Sequence, residues 1–310
     1  MSEDHSGLTP WEFAEQLRKV HGMGDSDVAA EVLDILAVNI LGSLPPNHRS
    51  VLDRFPVIVL PTRQPNAMCI AVPGGGAVIA VDYGLMSFLN VLNKAVLCRL
   101  NRFGMEPTMS QPEAINAVQK AMDHFFGAKE ELPRWPVSPK RMLVASALSN
   151  VQVSFVVGHE IGHVLLGHLD DRTRAPVMES KDIGAEVHSF SDLHSMEFAA
   201  DLDSARRTMS HFSKVYDPLF GANEPSYSQA GVDIFFSYLE LLDSRMGLSG
   251  ESSTHPPSKV RREELRKAMW STLPEPSREL ADCFDTIIPA LPEHDGMGGQ
   301  GRKPEDRTGH

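Results

Sequence analysis

Apolar residues are spread unevenly along the chain, and their spacing predicts a mostly helical protein. The longest apolar run, from Met142 to Leu169, is nearly continuous helix former and apolar on most faces, which predicts a central buried helix. Two N-terminal helices are expected over 8–44. In the first, Thr9 and Pro10 form an N-cap and first-turn pair for a helix to about Val20, and the second runs from Asp25 or Ser26 to Leu44, where Pro45 and Pro46 stop it. "FPVIVLPT" and "NAMCIAVPGGGAVIAVD" have β-branched runs split by Pro73 and Gly74 to Gly76, and the second reads as strand, turn and strand. "YGLMSFLNVLNKAVLCRLNRF" reads as a helix. The segment of about 100–141 mixes an amphipathic helix, "PEAINAVQKAMDHFF", with a Pro and Trp loop. Polar "DDRTRAPVMESKDIGAEVHSFSD" reads as a loop, and helices follow over about 193–212, 228–245 and 259–269. With no internal repeat and no clear linker, residues 1–291 read as a single compact α+β domain with a small β-sheet, and 292–310 have the Gly and charge content of a disordered tail.

Composition narrows the functional classes. The hydrophobic fraction is 42% and the charged fraction 23%, which supports a folded core. With 41 acids against 29 Lys and Arg, the net charge of −12 argues against nucleic acid or anionic lipid as a partner. Cys69, Cys98 and Cys283 are isolated, so neither a disulfide framework nor a thiolate zinc site is expected. "VAAEVLDILAVNILGSLPP" carries Glu31 and Asp34 and breaks at Pro45, so it falls short of a membrane span, and the N-terminus has no signal-peptide pattern. A cytoplasmic protein is expected. Oligomeric state is left open.

Against this background, the central helix contains residues that a buried helix should avoid. In "VVGHEIGHVLLGHLDD", His159, Glu160, His163 and His168 interrupt apolar sequence, and burying them costs free energy unless each finds a partner. At about 3.6 residues per turn, His159 and His163 share one face and can bind one ion, with Glu160 beside them as a proton acceptor. Imidazole and carboxylate donors point to Zn2+ as the cofactor. Gly158 and Gly162 would let another element approach closely. A third His six residues after the second is absent, because that position is Leu169. His168 is expected on another side of the helix end, capping carbonyls or bonding an acid such as Asp170. The better third ligand is Glu197, which shares a helical face with Asp201, and Ala199 and Ala200 allow close packing. Asp201 would then accept the second ring N–H of a ligating histidine. Glu186, His188, Asp192 and His194 compete with Glu197 for the ligand role.

These residues resemble the gluzincin metallopeptidases, in which His-Glu-x-x-His is followed by a helix bearing Glu-x-x-x-Asp. "PNAMCIAVPGGGAVIAVDYGLM" and "STHPPSKVRREEL" are similar, in sequence and order, to segments of the CAAX prenyl protease and HtpX-type family. In length and lack of membrane spans the chain also resembles the phage-exclusion peptidase Lit. The resemblance covers about residues 66–265, with 100–141 as a poorly matched insertion. It implies a zincin-like fold and zinc-dependent hydrolysis of a peptide or protein substrate, with Glu160 as general base. The donor to the developing oxyanion would come from the late segment, from His255 or, less favoured, Arg261 or Arg262. The strand from Asn66 and Ala67 would pair with an extended substrate, although Asn66 is equally explained as a turn former after Pro65. Two alternatives stand beside an active endopeptidase. One is a regulated, defence or toxin-like peptidase with a single target, its lid or sensor in 100–141. The other is a zinc-retaining binding or sensor module.

Overall fold

In the computed structural model the described residues are 8–21, 41–42, 44, 55–63, 65–72, 75–99, 105–126, 131, 137–168, 183–215, 227–246, 256–269, 281 and 284–285, with only the backbone described over 183–193 and at 215, 227, 245 and 246. The expected second helix falls almost wholly outside them, as do the middle of the Pro and Trp loop, Cys283 and the tail. The described elements are α1 (Pro10–Val20), β1 (Val57–Leu60), β2 (Ala67–Ala71), β3 (Ala77–Asp82), α2 (Tyr83–Leu97), α3 (Gln111–Phe125), α4 (Pro139–Leu165), α5 (Ile183–Val215), α6 (Tyr227–Met246) and α7 (Ser258–Met269). Among the described residues the protein is mostly helical with one small sheet, consistent with the α+β class.

The sheet has the order β1-β3-β2, with β1 parallel and β2 antiparallel to β3. Alternation along a strand sends successive side chains to opposite faces. Val57, Val59, Ile79 and Val81 therefore enter the main core, while Ile58, Leu60, Val78 and Ala80 meet Ala14, Phe13 and Leu17 of α1. α1 is fixed at its start by a reciprocal cap, in which Glu12 accepts the Thr9 N–H at 2.8 Å and Thr9 Oγ1 accepts the Glu12 N–H at 3.3 Å.

α4 is the hub. It packs on α5, α2 and α6 and also touches β2 and β3. Ser138 caps its start, accepting the Arg141 N–H, so the helix begins three residues before the apolar run does. It is long and apolar enough to cross a membrane, yet 78% of its apolar window is buried inside the protein, as befits a core helix. A buried polar cluster ties three helices together: Asn93 of α2 donates to Ser149 Oγ at 3.0 Å and Gln152 Oε1 at 2.8 Å of α4, and the Tyr238 hydroxyl of α6 donates to Asn93 Oδ1 at 3.0 Å. In a low-dielectric interior such bonds pin helix register, because a slip leaves each partner unpaired.

Two expectations need correction. α4 ends at Leu165 rather than Leu169, because Gly167 adopts φ 74°, the left-handed turn that terminates a helix. α5 begins at Ile183, ten residues before the expected Leu193, so the end of the polar segment read as a loop is helical. The helix within the 100–141 insertion, α3, is part of the core: Ala114, Val118, Ala121 and Met122 are buried, and Phe125 meets Phe88 of α2 edge-on at 5.3 Å.

Candidate metal centre

The last two turns of α4 bring His159 and His163 to one face, and α5 crosses that face closely enough to add a carboxylate. Gly162 makes the crossing possible. A Cβ there would lie 3.2 Å from Ala200 Cα and 3.3 Å from Ala200 Cβ, so the two backbones are almost in contact. Of the two alanines, Ala200 fills this contact, whereas Ala199 is exposed. Ser204, one turn further along α5, donates to the Phe155 carbonyl of α4 at 2.6 Å and fixes the helices' relative height.

The result is a buried group of His159, His163 and Glu197 that could hold a metal ion. The His159 and His163 Nε2 atoms are 3.0 Å apart, and the Glu197 carboxylate oxygens lie 3.3 Å and 3.2 Å from them respectively. Donors bound at about 2.0–2.1 Å to one tetrahedral ion stand about 3.3 Å apart, so the spacing already matches. Lone-pair donors held this close repel one another unless positive charge sits between them, and Glu197 is buried at 0% exposure. Among the described residues His194 is not part of this group, and the side chains of Glu186, His188 and Asp192 lie outside the described ones.

A second layer orients the donors. His159 Nδ1 lies 2.9 Å from Asp201 Oδ1. Asp201 in turn accepts two bonds from Arg261 of α7, from Nε at 2.8 Å and Nη2 at 2.6 Å, and Arg261 Nη1 stands 3.7 Å from Glu197. Burial opposes a proton on His159, but the Asp201 and Glu197 carboxylates outweigh it and push the pKa up to about 9. Burial likewise pushes the Asp201 carboxyl up, but Arg261 first and His159 second hold it below the usual range. The centre therefore draws in positive charge, which is what a cation site must do.

Arg261 and Arg262 were both candidates for contact with substrate. Arg262 turns the other way: it donates to Asp233 and Asp285 and to Glu240, and Arg266 joins the same cluster through Asp233. This removes Arg262 from the cleft. Arg261 does line it, but its guanidinium is committed to Asp201. His255 lies outside the described residues, while Pro256, Pro257 and Ser258 just after it form one cleft wall.

The cleft has a volume of about 320 Å³. His159, Glu160 and Glu197 share it with Asn66 and Ala67 at the start of β2, and Phe155, Val156, Phe235 and Leu239 give it apolar walls. Asn66 also accepts the Asp82 N–H through its carbonyl at 2.9 Å, which continues the β2–β3 ladder by one residue.

His168 departs from expectation. It does not face away from the ligands: its Nδ1 is 2.9 Å from His163 Nδ1, and it is only 7% exposed. Asp170, its expected partner, lies outside the described residues. The signal in the sequence was Gly167, whose left-handed turn folds the chain back toward α4. Among known proteins, no family model, no curated protein and no solved structure matches this chain.

Proposed function

We propose that the chain is a zinc-dependent metalloendopeptidase of zincin-like fold. One observation carries this reading: Glu160 opens onto the same cleft as a three-donor metal group, beside the edge strand of a sheet. A structural site closes four protein ligands around its ion, whereas a catalytic site has three and leaves a position open. Two imidazoles and one carboxylate match the ligand preference of zinc.

Zinc, when bound, acidifies a water and polarises the carbonyl to be attacked. The remaining work falls to the chain. Glu160 takes the proton from the attacking water and delivers it to the leaving amine. Glu197 and the two imidazoles fix the ion, and Asp201 and Arg261 hold Glu197 and His159 in place. Among the described residues β2 pairs with β3 on one side, and an extended peptide would add along its other edge. Asn66 and Ala67 would start that pairing at the cleft. The apolar walls favour a substrate with a large apolar side chain next to the scissile bond.

The test pairs two variants. Glu160→Gln should bind zinc as the wild type does and lose cleavage by about 100-fold or more. Glu197→Ala should lose both. Mapping of new protein termini in cells, wild type against Glu160→Gln, identifies the substrate. Equal cleavage by wild type and Glu160→Gln removes Glu160 from the mechanism, and a zinc-loaded wild type that cleaves nothing overturns the peptidase reading.

A further inference from the structure

We infer that His168 is the positioning residue of His163, holding that ligand's ring by accepting its Nδ1–H. The two Nδ1 atoms are 2.9 Å apart, and the rings meet at 5.1 Å between centroids with 62° between their planes. Both are buried, His163 at 1% and His168 at 7% exposure. Two neutral imidazoles can share one hydrogen bond only if one donates and the other accepts. His163 Nε2 faces His159 Nε2 and Glu197, so a ligating His163 has its lone pair there and its hydrogen on Nδ1. His168 Nδ1 is then the acceptor, and the His168 hydrogen lies on Nε2.

The two metal-facing histidines are thus held by different chemistry. His159 leans on a carboxylate, Asp201, which Arg261 neutralises. His163 leans on a second imidazole. A carboxylate at position 168 would add a third buried negative charge to Glu197 and Asp201, while one guanidinium serves them both. An imidazole supplies the acceptor without the charge. The chain reaches this arrangement through Gly167: at φ 74° the backbone reverses, with the Gly167 N–H still bonded to the Val164 carbonyl at 3.3 Å. A Cβ at Gly167 would meet nothing within 4 Å, so the glycine is there for its backbone angle and not for space.

This inference rests on the metal-binding reading of His159, His163 and Glu197 and is independent of peptide hydrolysis. The test uses the full chain as wild type, His168→Ala and His168→Asn. Zn2+ affinity is measured by competition with a chromophoric chelator, and the visible spectrum of the Co2+-loaded protein reports the ligand field. His168→Ala should weaken Zn2+ binding by about 10- to 100-fold and change the Co2+ spectrum. His168→Asn, whose amide oxygen can occupy the place of Nδ1, should recover most of the affinity and the wild-type spectrum. Wild-type affinity in His168→Ala overturns the inference. So does an equal loss in both variants accompanied by an equal fall in the unfolding midpoint of the metal-free proteins, since that is a packing effect. A wild type that binds neither Zn2+ nor Co2+ overturns the metal reading itself, whereas normal metal binding without proteolysis overturns only the peptidase.

Discussion

Replacing Gly162 by Ala tests the claim that the metal centre is set by how closely α5 approaches α4. On helix propensity alone the change should help, because Ala is favoured over Gly by about 1 kcal/mol in a helix interior. The contact opposes it. The new Cβ would stand 3.2 Å from Ala200 Cα and 3.3 Å from Ala200 Cβ, inside the 3.4–4 Å of ordinary contact, and one of those atoms is backbone. α5 must then move by a few tenths of an ångström, and overpacking of this kind costs about 1–3 kcal/mol. The net expectation is a loss of about 0–2 kcal/mol in the metal-free protein. The shift passes directly to Glu197 and Asp201, which flank Ala200 on α5, so zinc affinity should fall roughly tenfold, about 1.4 kcal/mol. Urea unfolding of the metal-free protein and chelator competition give the two numbers. Adding Ala200→Gly should restore only part of the affinity, because it removes the 3.3 Å contact and leaves the 3.2 Å one. A Gly162→Ala protein that is about 1 kcal/mol more stable and binds zinc as tightly as the wild type would show that the approach is not limiting.

Arg261→Ala leaves Asp201 buried without its cation and should cost about 3–5 kcal/mol of stability; Arg261→Lys keeps the charge, loses the two-point geometry and should fall between, and urea unfolding that finds Arg261→Ala unchanged refutes the pairing. Burial pushes the Asp233 carboxyl up, but Arg266 and Arg262 outweigh it and hold it below its ordinary value. Its contribution is therefore present above the unfolded pKa of about 3.9 and is lost as pH falls through the lower folded value, so Asp233→Asn should flatten the acid limb of the stability–pH curve and lower the neutral plateau; an acid limb as steep as that of the wild type refutes this.

Which parts of this arrangement the sequence displayed follows from whether the signal was local. His159 and His163 were legible because a helix of known period puts them on one face, and Glu197 and Asp201 for the same reason. That the two helices meet there is a tertiary fact, yet Gly162 marked it, since a glycine inside a helix costs about 1 kcal/mol against Ala and is kept where a neighbour comes close. The helix limits were harder. Leu166 and Leu169 continue the apolar pattern, and the pattern contains nothing about φ, so neither the helix end at Gly167 nor the side that His168 takes is visible in it. Residues 183–192 are polar enough to read as a loop, but their backbone continues α5. A helical turn closes its backbone hydrogen bonds without needing an apolar face, so a polar helix end and a loop have the same composition.

The pair Arg261–Arg262 shows how one short helix joins stability to the candidate chemistry. Adjacent positions on a helix point about 100° apart, so α7 can present one arginine to each of two sites. Arg262, with Arg266 one turn later, locks α7 to Asp233 of α6 and to Asp285. Arg261 then reaches Asp201 from a helix that is already immobile, and little conformational entropy remains to be lost in making that two-point contact. The Ser258 N–H at the start of α7 bonds to Asp243 of α6 at 3.1 Å, and this anchors the end of α7 that borders the cleft. In sequence the two arginines look interchangeable. Their neighbours on α5 and α6 divide them, and the division puts one positive charge beside Glu197 and Asp201 while the other serves the frame that holds it there.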